Sequence, residues 1–220
     1  MSTEHSLTLE GRSLYLCTPD RPDLPLFLDR CIRGGVDVVQ LRDKVLEARP
    51  LLKRARVALE VCRDHEVPFI LNDRPDLALE CDADGVHIGQ DDAPPELARR
   101  ILGPDRIVGL STHAPSELDA ALTKDVDYVS AGPVTPTPTK PGRPGTGSEY
   151  IVYASSVVEG SDRATLPIFV TGGVTPEAIP DLWRAGARRF VVVRYLTESG
   201  DLESSARRLR EAIEKMADVA

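Results

Sequence analysis

The 220-residue chain lacks several features that would decide its class at once. It has no run of eighteen apolar residues, which excludes a transmembrane helix of ordinary length. It has no excess of positive charge. Lys and Arg number 27 against 35 Asp and Glu, a net charge of −8, and bulk nucleic-acid binding needs a basic footprint instead. The first residues are polar, carry Glu4 and Glu10, and lack the charged-then-apolar plan of a signal peptide. Cys17, Cys31, Cys62 and Cys81 are spaced by 14, 31 and 19 residues, with no CxxC and no zinc pattern. Such thiols pack as small hydrophobes, and a reducing cytoplasm is expected. No GxSxG marks a hydrolase nucleophile, and no GK[ST] follows the glycine-rich stretches, so there is no P-loop. No linker or low-complexity block divides the chain.

What remains is an ordinary globular composition, 41% hydrophobic and 28% charged. A chain this long can bury a core without staples. One domain over residues 1–220 is expected, with 1–12 as an N-terminal extension. Short apolar runs alternate with longer amphipathic ones. The runs predict strands at Leu14–Cys17, Val38–Leu41, Phe69–Leu71, Gly85–Ile88, Ile107–Leu110, Tyr128–Ala131, Ile168–Val170 and Phe190–Val193. Near-continuous apolar runs suit parallel strands buried on both faces. Helices are predicted at Leu24–Arg33, Leu51–Arg63, Pro75–Glu80, Pro94–Leu102, Ser116–Leu122, Ser148–Val158, Pro176–Ala185 and Leu202–Ala217. Ser116 and Thr175 read as N-caps, with Pro176 first in its helix. Eight strand–helix units predict a single-domain α/β fold, a (β/α)₈ TIM barrel, over an open doubly wound sheet. The Gly132–Gly147 segment is too long for a usual strand–helix connection and reads as a lid, a binding loop or a disordered segment.

A barrel of this type carries its chemistry at the C-terminal ends of its strands. Gln40 and Arg42 share one face of the second strand and point to that mouth, with Lys44 just beyond; the two cations can hold an oxyanion, or pair structurally with carboxylates. Asp73 and Asp92 follow neighbouring strands. They fit a shared Mg²⁺, which takes oxygen ligands, and they equally fit helix caps. Ser111 can donate to a substrate oxygen, and His113 can act as acid or base or simply start a helix. His87, inside a strand, reads as a satisfied core histidine. Thr137, Thr139, Lys140 and Arg143 offer hydroxyls and charge from the long loop. Gly172 and Gly173, with Arg194 after the last strand, stand where such barrels often bind phosphate.

The segments QLRDK, NDRPDLALECDADGVHIGQDD, GLSTH, GPVTPTPTKPGR and TGGVTPEAI occur in this order. From Ser13 to Thr197 the chain resembles the thiamine-phosphate synthase family. The resemblance implies a TIM barrel that condenses hydroxymethylpyrimidine diphosphate with hydroxyethylthiazole phosphate, giving thiamine phosphate and pyrophosphate. It implies a Mg²⁺-assisted dissociative substitution: the C–O bond to diphosphate breaks first, and the thiazole nitrogen attacks the pyrimidine-stabilised cation. It implies Gln40, Arg42, Lys44, Asn72 and Ser111 as contacts of the pyrimidine diphosphate, and Asp73 and Asp92 as Mg²⁺ carboxylates. It implies Thr137, Thr139, Gly173, Val193 and Arg194 as thiazole-phosphate contacts, and Lys140 on the leaving diphosphate. Lys140, Arg42 and Ser111 are then the catalytic candidates. The chain departs from the family at Arg194, followed by Tyr195, where a serine is common, at Thr135, where an aromatic is common, and at Thr171. Two other readings fit the same barrel, a thiazole tautomerase-like isomerase and a non-catalytic thiazole or thiamine phosphate-binding protein. The expected partners are small molecules, with no nucleic acid and no membrane; a homo-oligomer is compatible with the sequence.

Overall fold

A computed structural model describes residues 8–137 and 144–219. The strands are β1 (Leu14–Thr18), β2 (Val38–Leu41), β3 (Phe69–Asn72), β4 (Gly85–Ile88), β5 (Ile107–Thr112), β6 (Tyr128–Ala131), β7 (Ile168–Thr171) and β8 (Arg189–Val192). All pair in parallel with their sequence neighbours, and β8 pairs with β1, so the sheet closes into a barrel. Around it, among the described residues, run α1 (Leu24–Arg33), α2 (Ala48–Asp64), α3 (Pro75–Glu80), α4 (Pro95–Leu102), α5 (Pro115–Leu122), α6 (Gly147–Glu159), α7 (Ile179–Arg184), α8 (Arg194–Thr197) and α9 (Leu202–Ala217). The molecule is the expected (β/α)₈ barrel.

The alternation of strand side chains divides the interior into two cores. Outward residues such as Leu14, Leu16, Val39, Leu71 and Val86 meet the helices. Inward residues, including Tyr15, Cys17, Ile70, Tyr128, Phe169 and Val191, fill the barrel, and Leu9 from the N-terminal extension joins them. Tyr15, Tyr128 and Phe169 are fully or almost fully buried and meet edge-on or tilted, with ring centroids 5.3–6.0 Å apart. Such packing stabilises beyond the area it buries.

Three aspartates fasten the lower rim. Asp37 accepts hydrogen bonds from the Ser13 and Leu14 N–H groups, Asp84 from Phe69 N–H, and Asp127 from Val108 N–H. Each stands at the start of an even-numbered strand and satisfies a backbone donor at the start of the odd-numbered strand before it. Arg210 of α9 pairs with Asp37, tying the last helix to this rim.

Several boundaries differ from the sequence reading. Helix α2 begins at Ala48, before Pro50, because proline in a first helical turn costs no hydrogen bond. Ser116 is not a cap: Ala114 is the N-cap and Pro115 opens α5, while Glu117 reaches back to His113 N–H at 2.7 Å. The Thr175 hydroxyl accepts from Ala178 N–H at 3.3 Å, but it caps a turn, and α7 starts only at Ile179. The last strand ends at Val192. Val193 is the N-cap of the short helix α8, which no sequence periodicity predicted.

Candidate active site

A cavity of about 700 Å³ opens at the C-terminal ends of the strands. Gln40, Arg42, Lys44, Asn72, Asp73, Asp92, Ser111, Thr137, Gly173, Val193 and Arg194 all line it. Every sequence-predicted site residue that is described therefore faces one space. Thr139, Lys140 and Arg143 lie outside the described residues.

The acidic side is built by two turns. Asp73 follows β3 with φ +64°, a left-handed conformation that Asp tolerates better than most residues. Its N–H donates to His87 O at 2.8 Å, which holds the turn against β4. Asp92 accepts the Gly89 N–H at 2.8 Å. The two carboxyls lie close enough to act on one another. Burial pushes Asp73 above the usual carboxylate range, and its bond to Asp92 adds to this; the adjacent Lys44 ammonium acts in the opposite direction. Burial also acts to raise Asp92, but the bonds from Asp73 and Gly89 N–H outweigh it and hold Asp92 below its ordinary value. The two neighbouring carboxyls are thus pushed in opposite directions, Asp73 up and Asp92 down. The N-caps of α3 and α4 are Arg74 and Pro94, so neither aspartate caps the helix that follows it.

The basic side faces it. Lys44 Nζ lies 2.5 Å from Asp73 Oδ2. Asp43 accepts the Val45 and Leu46 N–H groups and so fixes the turn that carries Lys44. Arg42 extends the same strand end, bonds Thr18 O through its backbone N–H at 2.8 Å, and has no ion pair among the described residues. A structural pairing does not account for it.

Between these charges lies a polar floor. Gln40 Nε2 donates to Asn72 Oδ1 at 3.3 Å. Asn72 Nδ2 is buried and has no hydrogen-bond partner among the described residues. An unmet buried donor is costly unless a ligand supplies its acceptor. Ser111 is 2% exposed, and its Oγ lies 2.9 Å from His87 Nε2. His87 is a satisfied, buried histidine as expected, yet its ring also lines the cavity. His113 Nδ1 pairs with Glu117 Oε2 at 2.8 Å.

The opposite wall is made by the loops after β6, β7 and β8. Val134 N–H donates to Thr171 O, and Thr146 N–H to Pro133 O, both at 2.8 Å, so the two ends of the long loop are stitched together beside β7. Gly172 and Gly173 have φ +95° and +77°. A Cβ on Gly172 would sit 2.6 Å from Pro133 Cβ, and one on Gly173 would sit 2.5 Å from Thr135 Oγ1. Both positions need glycine for backbone conformation and for close approach.

Sequence reasoning missed Gln90, whose Nε2 donates to Ser111 O at 2.7 Å, and the inward hydroxyls of Ser130, Tyr15 and Tyr128. Strict period-two parity along β1 and β6 could have found the last three. It also missed Ser205 and Arg208 of α9, which reach the cavity rim only through the tertiary fold.

A profile described as thiamine monophosphate synthase matches residues 14–196. The chain is 44% identical over 216 residues to a thiamine-phosphate synthase of Mycolicibacterium vanbaalenii, covering 93% of this chain and 95% of that one. It is 47% identical over 205 residues to a thiamine-phosphate synthase of Thermus thermophilus, covering 91% and 96%. Its fold superposes with a TM-score of 0.80 on a thiamine phosphate pyrophosphorylase from Pyrococcus furiosus, with 27% identity over 96% and 97% of the two chains. This chain, whose barrel mouth sets neighbouring carboxylates and cations against glycine-rich loops and whose matches span nearly its whole length, belongs to the thiamine monophosphate synthase family.

Proposed function

We propose that this barrel mouth joins hydroxymethylpyrimidine diphosphate to hydroxyethylthiazole phosphate, forming thiamine phosphate and releasing pyrophosphate. The protein is thus a transferase of the thiamine-phosphate synthase type. The C–O bond between the pyrimidine methylene and the diphosphate breaks, and its electron pair leaves on the diphosphate oxygen. The thiazole nitrogen then supplies the pair for the new C–N bond. No protein nucleophile is needed.

Arg42 and Lys44 are assigned to the leaving diphosphate, Arg42 as a planar fork and Lys44 as a point charge. Lys140, from the long loop, is proposed to join them. Asp73 and Asp92 fit a Mg²⁺ site: they are two neighbouring half-buried oxygen donors whose carboxyls act on one another. Mg²⁺ held there would neutralise the charge that develops on the leaving diphosphate. Gln40, Asn72 and Ser111 are assigned to the pyrimidine, and the unmet Asn72 Nδ2 is the donor an incoming acceptor would satisfy. Thr137, Thr139, Gly173, Val193 and Arg194 are assigned to the thiazole phosphate, which would fix the nucleophile in line. The inner aromatic core beneath the site keeps water from the reactive cation. The four cysteines are buried and form no disulfide among the described residues, in keeping with a reducing cytoplasm.

The observation that carries this reading is the convergence of Asp73, Asp92, Lys44 and Arg42 on one cavity. The test is turnover of both substrates with Mg²⁺, followed by pyrophosphate release. Release of one pyrophosphate per thiamine phosphate is expected. Thiazole isomerisation without pyrophosphate would mark a tautomerase, and tight binding of thiamine phosphate without turnover would mark a binding protein.

A further inference from the structure

A buried hydrogen-bond chain runs from the barrel core to the cavity floor. Tyr15 Oη lies 2.9 Å from Tyr128 Oη. Tyr128 Oη lies 2.9 Å from His87 Nδ1, and His87 Nε2 lies 2.9 Å from Ser111 Oγ. These residues come from β1, β6, β4 and β5, so only the closed barrel assembles the chain. All four residues are at most 9% exposed. Burial holds both tyrosine hydroxyls well above their ordinary pKa, so each keeps its proton.

Donor counting gives the chain a direction. Among the described residues, Tyr15 Oη has one hydrogen-bond partner, Tyr128. A buried hydroxyl proton with no acceptor is costly, so Tyr15 donates to Tyr128. Tyr128 has then one acceptor left for its own proton, His87 Nδ1. An Nδ1 that accepts requires the tautomer with its proton on Nε2, and that N–H donates to Ser111 Oγ. The Ser130 hydroxyl also donates to Ser111 Oγ, at 3.4 Å. Ser111 Oγ thereby accepts from His87, and its own proton is directed away from the imidazole. In the reverse order Tyr15 would be left with an orphaned proton in the barrel core.

Gly109 shows that the arrangement is built in. A Cβ there would lie 2.0 Å from Tyr128 Cζ and 2.4 Å from its hydroxyl. Glycine on β5 leaves the space through which the Tyr128 ring stacks on His87, with centroids 5.5 Å apart and planes 26° apart.

We propose that His87 is a positioning residue: it passes the donor order of the Tyr15–Tyr128 pair to Ser111, committing the Ser111 hydroxyl to donate to an acceptor atom of the pyrimidine diphosphate substrate. The substrate assignment rests on the function proposed above; the direction of the chain does not.

Two measurements test it separately. The first is the ¹⁵N–¹H NMR spectrum of the histidine rings in the full ligand-free chain at pH 8, with His87 assigned by its loss in His87→Gln. A ring protonated on Nε2 alone is expected. A ring protonated on Nδ1, or on both nitrogens, overturns the direction. The second is a double-mutant cycle. His87→Leu should lower kcat/KM for the pyrimidine diphosphate about tenfold, the scale of one well-placed hydrogen bond, and leave KM for the thiazole phosphate unmoved. His87→Gln, whose amide N–H can still donate to Ser111, should recover to within about threefold of the parent. In a Ser111→Ala background, His87→Leu should cost less than about twofold more. A full tenfold loss in that background, or a loss expressed in the thiazole-phosphate KM, would show that His87 does not act through Ser111. Absence of turnover in the parent protein would sink the proposed reaction and leave the NMR result to judge the chain.

Discussion

Replacing Asp92 by Asn should separate stability from activity. Asp92 Oδ2 accepts the Gly89 N–H, and an Asn carbonyl can take over that bond. The Asn amide can also donate to Asp73, where the parent sets two carboxyls side by side. Two carboxylates at about 4 Å repel by about 4 kcal/mol at an effective dielectric constant of 20. The Lys44 ammonium beside Asp73 and partial exposure remove most of that cost. Relief of about 1 kcal/mol is therefore expected on substitution, the usual scale for relaxing a functional site. For a chain of this length that raises the melting temperature by about 2–4 °C. The assay is thermal unfolding at pH 8 in EDTA, repeated with Mg²⁺. Mg²⁺ at ten times its dissociation constant should stabilise the parent by about 1.4 kcal/mol, and the variant by much less. Pyrophosphate release by the variant should fall at least about a hundredfold, equivalent to about 2.7 kcal/mol of transition-state stabilisation. Chelation should likewise stop the parent. An Asp92→Asn variant that melts lower, keeps its response to Mg²⁺, or turns over normally would refute the reasoning.

Lys140→Ala should depress turnover far more than it weakens thiazole-phosphate binding, because the proposed role is on the leaving group; steady-state kinetics with each substrate varied would reveal an unchanged kcat if that role is wrong. Gly173→Ala should raise the thiazole-phosphate KM at least about fivefold while sparing the pyrimidine KM, since φ +77° and the Thr135 hydroxyl both resist a Cβ and would shift the loop by about 1 kcal/mol of strain. Asp84→Asn tests the lower rim by pH. Burial raises the folded-state pKa of Asp84 above its unfolded value, so its contribution to stability is fully present below the unfolded pKa and is lost as pH rises through the folded one. Asn can keep the bond from Phe69 N–H without a charge. The urea midpoint of the variant, relative to the parent, should therefore rise between about pH 4 and pH 8; a constant or falling difference would count against the assignment.

The elements of this protein are legible in its sequence wherever burial dictates pattern locally. Val38–Leu41, Gly85–Ile88 and Tyr128–Ala131 coincide with strands because a strand covered on both faces must be apolar or small throughout, and flanking turns end it. Period-two alternation likewise suffices to aim Gln40 and Arg42 at the barrel mouth. Boundaries set by backbone geometry were less legible. Pro50 inside α2 and the four-residue α8 leave no periodic signal, and nothing local foretells φ +64° at Asp73.

What only the tertiary structure decided are relations between strands. Asp73 and Asp92 stand nineteen positions apart, and either would serve as a helix cap; barrel closure and the bond from Asp73 N–H to His87 O turn the two carboxyls onto one another. The direction of the Ser111 hydroxyl depends on Tyr15, 96 positions earlier in the chain, through two residues on other strands. Hydrophobic periodicity specifies which face of a strand is buried, a property of neighbouring residues. Carboxyl pairing and donor order are properties of atoms about 3 Å apart in space, and the stagger of a closed sheet chooses those neighbours.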